Sequence, residues 1–237
     1  MASWIIHLRI AENLLDTIPG LDVERFALGS VAPDSGKPDE KWENFTPPTC
    51  ITHFQAADTL GHDCADLDFF RQYLLPIRAT SEPQVLSFRL GYFFHLITDN
   101  RWGIQIGWPT YQNHKERADA DKDFFWEVKK DWYGLDFLYV WDHPDCLFWK
   151  VFCTAKPYAG GLDFLAADSL AWSVDHIQKY YQRTDAEVTA ARSHAYIYLT
   201  AAEADRFVAE SSRELFRIYQ QVWLNGSIPD GRSSVLN

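Results

Sequence analysis

Two residues in the apolar stretch "SFRLGYFFHLITDNRWG", residues 87–103, are equipped for chemistry: His95 and Asp99. Four residues apart on a helix, they project from one face, about 5–6 Å apart at Cβ. A carboxylate among Phe93, Phe94, Leu96 and Ile97 is costly to bury unless it is paired or bound to a metal. Three more polar residues sit in similar settings. His7 lies inside "WIIHLRI", Asp34 follows Pro33 in "FALGSVAPDSG", and His53 stands between apolar neighbours in "TCITHFQ". Together they offer a mixture of nitrogen and oxygen donors that suits a divalent cation such as zinc. Taken singly, each has a plainer account. His95 and Asp99 make a hydrogen bond that stiffens a core, His7 is a core histidine bonded to a carbonyl, Asp34 is a turn residue, and His53 is a partly buried loop histidine.

Helices must position these groups. The first is predicted over residues 3–18, with Ser3 as N-cap and Trp4, Ile5, Leu8, Leu14, Leu15 and Ile18 at helical spacing. Pro19-Gly20 ends it, and a short helix follows Asp22 to about Ser30. Residues 31–50 read as a long Pro/Gly/Asp-rich loop, a kind that often carries function. Helices are expected over 65–76 and 82–102, irregular chain over 103–117, and a helix over 118–141 broken by "DHPDC". The apolar segment 146–154 fits a strand or a short helix. Further helices are expected over 162–182, 185–199 and 201–224, the last two opened by the capping boxes "TDAE" and "TAAE". Residues 225–237 read as a frayed polar tail. The expectation is one all-α domain over 1–237, with the metal-site motifs within 1–102 and a helical remainder over 103–224.

The bulk composition narrows the function classes. With 47% hydrophobic and 16% aromatic residues, the 237-residue chain can bury a sizeable core. A net charge of −11 provides no basic footprint for nucleic acid and little attraction to anionic membranes. Cys50, Cys64, Cys146 and Cys153 lack the CxxC spacing of a thiolate zinc site. The start "MASWIIHLRIAEN" lacks the layout of a secretory signal, and no long uncharged apolar run suggests a membrane span, so a cytoplasmic protein with reduced thiols is expected. No GxGxxG, P-loop or GxSxG motif is present. Trp102, Trp108, Trp126, Trp132, Trp141, Trp149 and Trp172 are expected in core and helix packing, with a ligand groove as the alternative.

The order "HLRIAENLL", "FALGSVAPDS", "ITHF", "GYFFHLITDNRW" resembles the zinc-dependent phospholipase C family, nearest its small bacterial intracellular members. The resemblance covers about the first 102 residues. It implies a multi-helix bundle of the zinc-dependent phospholipase C and P1 nuclease type, with a metal centre in a cleft. By that resemblance Asp34, His53, His95 and Asp99 hold a first metal, and His7 holds a second that shares Asp99 as a bridge. Two positions depart from the pattern. Secreted members ligate through the amino group of an N-terminal Trp, whereas Trp4 lies behind Met-Ala-Ser. They also carry a histidine ten residues beyond that of the HxxxD pair, where this chain has Gln105, with His114 further on at the wrong spacing. A third metal is therefore not expected.

The function expected from residues and resemblance together is metal-assisted hydrolysis of a phosphoester or phosphodiester. Zinc, one or two ions, is the expected cofactor, with another divalent metal as the alternative. A small phosphorylated molecule or a phospholipid headgroup is the expected substrate. Asp34 and Asp99 are the candidate catalytic residues. Two rivals stand beside this. "GHDCADLDFF" offers His62-Asp63, an HD dipeptide that with His53 or His7 and Asp99 would make an HD-type phosphohydrolase. Alternatively, the same four ligands close a structural metal site in a non-catalytic protein. His143 is expected in a turn, and His176 and His194 on helix faces.

Overall fold

Helices dominate this computed structural model, which describes residues 1–41, 43–55, 63–79 and 82–236. In chain order they are α1 (Trp4–Leu15), α2 (Val23–Gly29), α3 (Thr49–Thr52), α4 (Asp66–Phe69), α5 (Pro83–Trp102), α6 (Trp108–Asn113) and α7 (Lys115–Ala120). They continue as α8 (Phe124–Asp142), α9 (Leu147–Lys150), α10 (Ala167–Tyr180), α11 (Asp185–Ser193) and α12 (Ala201–Ile218). Between α2 and α3, strands β1 (Lys37–Pro38) and β2 (Phe45–Thr46) pair antiparallel, with Lys37 opposite Thr46. Two residues per strand are too few for an alternating pattern to show in the sequence.

Local capping chemistry works as the residues predict at three helix starts. Asp22 accepts from Arg25 N at 2.9 Å. Thr184–Glu187 and Thr200–Glu203 form complete capping boxes. Ser3 occupies the N-cap position of α1, but its hydroxyl donates to Asp136 at 2.8 Å and leaves the cap unmade.

α5 is buried almost all round, as its apolar circumference requires. α2 crosses it closely at two glycines. A Cβ on Gly29 would stand 2.0 Å from Phe88 O, and one on Gly91 2.5 Å from Phe26 O. This approach carries the end of α2, and the turn Ala32–Asp34 behind it, onto the face of α5 that bears His95. α1 lies against α5 and α12, where Arg9 pairs with Asp205 at 2.6 Å and Asn13 with Ser212 at 3.0 Å. One apolar core runs from Ala2 to Trp223.

Several segments differ from expectation. Residues 103–113 are helical: a π turn at Gly103–Gly107 links α5 to α6, and Pro109 sits where the bonding pattern shifts, so its missing N–H is absorbed. The helix expected over 118–141 is instead α7 and α8, parted at residues 121–123. The segment 146–154 is helical, as α9 and a 3-10 turn. α11 stops at Ser193. Beyond it, buried Asp131 of α8 accepts from His194 Nε2 at 2.6 Å, Ile197 N at 2.7 Å and Tyr198 N at 2.6 Å, which draws residues 194–198 off the helix.

The tail is held rather than frayed. Ser234 Oγ and Val235 N donate to Asp66 at 2.5 and 2.9 Å, and Arg71 donates to the carbonyls of Pro229 and Arg232. Of the tryptophans, Trp102 and Trp132 are buried in the core, whereas Trp108, Trp126 and Trp141 are exposed.

Asp136 carries a testable consequence. It is buried, and burial raises its pKa from 3.8 to about 7 despite hydrogen bonds from Ser3 and Tyr181. Its folded pKa lies above the unfolded value. Its contribution to stability is therefore full below about 4 and is lost as pH rises through about 7. Asp136→Asn removes that loss, so the melting temperature of the variant relative to wild type should rise between pH 5 and pH 8. An unchanged difference would show that Asp136 does not titrate in this range.

Candidate metal centre

Four chain segments deliver the five candidate side chains to one place. α1 supplies His7, the 3-10 turn supplies Asp34, the C-cap of α3 supplies His53, and α5 supplies His95 and Asp99. His7, His53, His95 and Asp99 are buried, and the Asp34 side chain is 13% exposed against 0% for Asp99. Solvent therefore meets the cluster at Asp34.

The donor atoms face one another. His95 Nε2 lies 3.2 Å from Asp99 Oδ2 and 3.3 Å from His53 Nε2. His53 Nε2 lies 3.4 Å from Asp34 Oδ1 and 3.4 Å from Asp99 Oδ2. His7 Nε2 stands 3.3 Å from the other Asp99 oxygen, Oδ1, which also accepts from Ala2 N at 2.7 Å. Asp99 thus presents one oxygen to His53 and His95 and the other to His7. The donors form two triads, His7–His95–Asp99 and Asp34–His53–His95, with all atoms of a triad within 4.8 Å of one another.

The imidazoles are oriented by the main chain. His95 Nδ1 lies 2.9 Å from Ser30 O, and His53 Nδ1 lies 3.2 Å from Thr49 O. A carbonyl can only accept, so each Nδ1 carries the proton and donates it. Each Nε2 then faces the cluster and is the ring atom left to ligate a metal, as in metal-binding histidines. The Tyr92 hydroxyl donates to Thr52 O and secures the residue before His53. The His7 and His95 rings stack at 3.8 Å.

These residues fit a divalent ion. Donors at the corners of a zinc tetrahedron, with bonds of roughly 2.0–2.1 Å, stand about 3.3–3.4 Å apart. The shortest separations, 3.2–3.4 Å, match that edge, within triads whose atoms lie up to 4.8 Å apart. In addition, Asp99 Oδ2 and both ring nitrogens of His7 are buried without a hydrogen bond among the described residues. Such groups are costly to bury unless something satisfies them.

The electrostatics also call for positive charge. Burial disfavours a charged His53, yet the carboxylates of Asp34 and Asp99 raise its pKa to about 9. Burial likewise works against both carboxylates, yet His53 beside Asp34, and His95 with His53 and His7 around Asp99, hold them below the ordinary range. His7 goes the other way. Burial, and then repulsion from His95, lower it to about 4. His7 is therefore a neutral donor at physiological pH.

The remaining predicted residues lie elsewhere. Asp63 of the HD dipeptide is exposed, and His62 is outside the described residues. Gln105 is exposed, and His114 packs on Phe124 and Tyr198. Trp4 sets its ring against His176, Tyr180 and Tyr181. His143 stacks on Tyr139 in a turn, as expected, and His176 stacks on Trp172. His194, expected on a helix face, caps α11 and clamps Asp131. The cysteines are free thiols. No described helix is long and apolar enough to cross a membrane.

Sequence reasoning missed the groups that orient the donors. The carbonyls of Ser30 and Thr49 leave no trace in residue type. Tyr92 does, since it stands three residues before His95 in "GYFFH". No family model, curated protein or solved structure matches the chain, so the candidate metal centre rests on its own geometry.

Proposed function

We propose that this protein is a metal-dependent hydrolase of phosphoesters or phosphodiesters, with zinc as the ion best suited to its donors. The observation that carries the reading is the convergence of four segments on triads of nitrogen and oxygen donors. Three protein ligands leave the fourth position of a tetrahedral ion to water or substrate, the arrangement of catalytic zinc sites. A bound divalent ion supplies hydroxide near neutral pH and offsets phosphoryl charge. Asp34, at the solvent side, accepts a hydrogen bond from the attacking water. His95 is common to both triads, and Asp99 turns one oxygen to His7 and the other to His53 and His95. The order of the motifs, like that of the zinc-dependent phospholipases C, favours a phosphoester substrate and a bundle of that family's type.

A second reading has one observation in its favour. Asp34, His53, His95 and Asp99 together supply four ligands, and three of them are fully buried, which suits a structural zinc. Metal analysis and a phosphodiesterase assay separate the two. The hydrolase is expected to bind stoichiometric zinc, to hydrolyse bis(p-nitrophenyl) phosphate, and to lose and regain that activity on chelation and zinc addition. Zinc whose removal lowers only the melting temperature, with no hydrolysis of any phosphoester tested, would favour the scaffold.

A further inference from the structure

We propose that Asn100 is a positioning residue of the metal centre: it clamps the main chain of Cys64 to α5 and so sets His53 at its distance from Asp99. This rests on the metal-binding reading above. It adds that residues 233–235, which make no hydrogen bond to a candidate ligand among the described residues, tune that site.

Asn100 directly follows Asp99 on α5 and is buried. Its side-chain amide pairs with both main-chain groups of Cys64. Oδ1 accepts from Cys64 N at 2.8 Å, and Nδ2 donates to Cys64 O at 2.8 Å. A flipped amide would set N–H against N–H and oxygen against oxygen, so the pairing admits one orientation. The second Nδ2 proton goes to Asp66 Oδ2 at 3.0 Å. Asp66 is held in turn by the C-terminal segment. Ser234 Oγ donates to Oδ2 at 2.5 Å, Val235 N donates to Oδ1 at 2.9 Å, and the neighbouring Leu67 N donates to Ser233 O at 2.9 Å.

From Cys64 the clamp reaches a ligand in two steps. Ala65 N donates to Phe54 O at 3.0 Å, and Phe54 directly follows His53. His53 Nε2 stands 3.4 Å from Asp99 Oδ2, which closes a ring of contacts through Asp99, Asn100, Cys64–Ala65, Phe54 and His53. Phe54 has a φ of 54°, a left-handed conformation that persists in a bulky residue only where its surroundings over-determine it. Ala65 N supplies one restraint. The rings of Phe69 and Phe164, each 5.4 Å from that of Phe54, supply others. Without Asn100 the Cys64–Ala65 main chain loses its hold on α5, Phe54 relaxes, and His53 moves with it. Docking of the C-terminal segment is served by Asp66, Leu67 and Arg71. The two bonds to Cys64 join something else, the segments that carry Asp99 and His53.

The test titrates the full chain with zinc, in competition with a chromophoric chelator, and with cobalt(II), whose visible absorption reports coordination geometry. Asn100→Ala should lower zinc affinity about 10-fold and change the cobalt absorption as His53 withdraws. Ser234→Ala, further along the same path, should lower zinc affinity about threefold. Leu215→Ala, a buried position on α12, supplies the loss of melting temperature that packing alone produces. Its zinc affinity and cobalt absorption should match wild type. An Asn100→Ala chain that melts lower but keeps wild-type zinc affinity and cobalt absorption overturns the positioning role and leaves the hydrolase standing. An equal loss of affinity in Leu215→Ala overturns it too, since the effect would then follow stability alone. No loss in Ser234→Ala strikes the contribution of residues 233–235. Should Asn100→Ala not fold, Asn100→Ser carries the same comparison. A wild type that binds no divalent metal overturns both the clamp and the hydrolase.

Discussion

Asp99→Asn is expected to weaken metal binding by at least about two orders of magnitude. Asparagine keeps the shape of aspartate and can still accept from Ala2 N, so the local fold should survive. What disappears is the negative charge that His7, His53 and His95 surround at 3.2–3.4 Å. A neutral amide is a poor ligand for a hard or borderline cation. Structural zinc sites with four ligands are worth about 10–16 kcal/mol in all, roughly 3 kcal/mol per donor. Zinc affinity should therefore fall at least about 100-fold. It should fall further because Asp99 is a member of one triad and lies 3.4 Å from His53 of the other. Competition with a chromophoric chelator reads the constant directly. One tightly held zinc per Asp99→Asn chain would mean that the ion sits elsewhere, or that Asp34, His53 and His95 hold it unaided.

Zinc affinity should also climb with pH well past neutrality. His53 has a pKa of about 9 in the metal-free cluster, so at pH 7 its Nε2 is occupied by a proton. It must lose that proton to ligate. His7, with a pKa of about 4, has none to give, and Asp34 and Asp99 are already ionised. Release of the one His53 proton predicts roughly a tenfold gain in zinc affinity per pH unit up to about 9, and a plateau above it. Calorimetry at pH 7 in buffers of different ionisation enthalpy should count that proton. Affinity that is flat between pH 7 and pH 9 would show that His53 is not a ligand.

The metal-free protein carries the complementary signature. The folded pKa of His53 is raised above 6.5, so its stabilising charge is present below that value and is lost as pH rises through about 9. The folded pKa of His7 is depressed, so its contribution is present above 6.5 and is lost as pH falls through about 4. Metal-free protein should thus weaken at both alkaline and acid pH. Zinc, by replacing the His53 proton, should remove the alkaline arm.

Where sequence reasoning went wrong, long-range hydrogen bonds decided the outcome. Nothing in "SHAYIY" indicates that α11 must end at Ser193, because the cause is Asp131, 63 residues from His194 on another helix. "NGSIPDGRSSVLN" is polar enough to fray, and is held by Asp66 and Arg71 from the other end of the chain. Gly103, Gly107 and Pro109 read as helix breakers, and a π turn absorbs them.

From residue types and spacing alone, the chain declares that it is helical and that His95 and Asp99 share a face of an apolar helix. It also declares that His7, Asp34 and His53 are polar groups set among apolar ones. Those properties are local: they follow from a 3.6-residue repeat and from the cost of burying charge. Whether the five groups meet is not local. It depends on Gly29 and Gly91 letting α2 close on α5, on Ser30 and Thr49 carbonyls turning two imidazoles, and on Ala2 tying α1 to Asp99. Only the packed chain decides such distances, because each joins residues far apart in sequence through main-chain groups that every residue type shares.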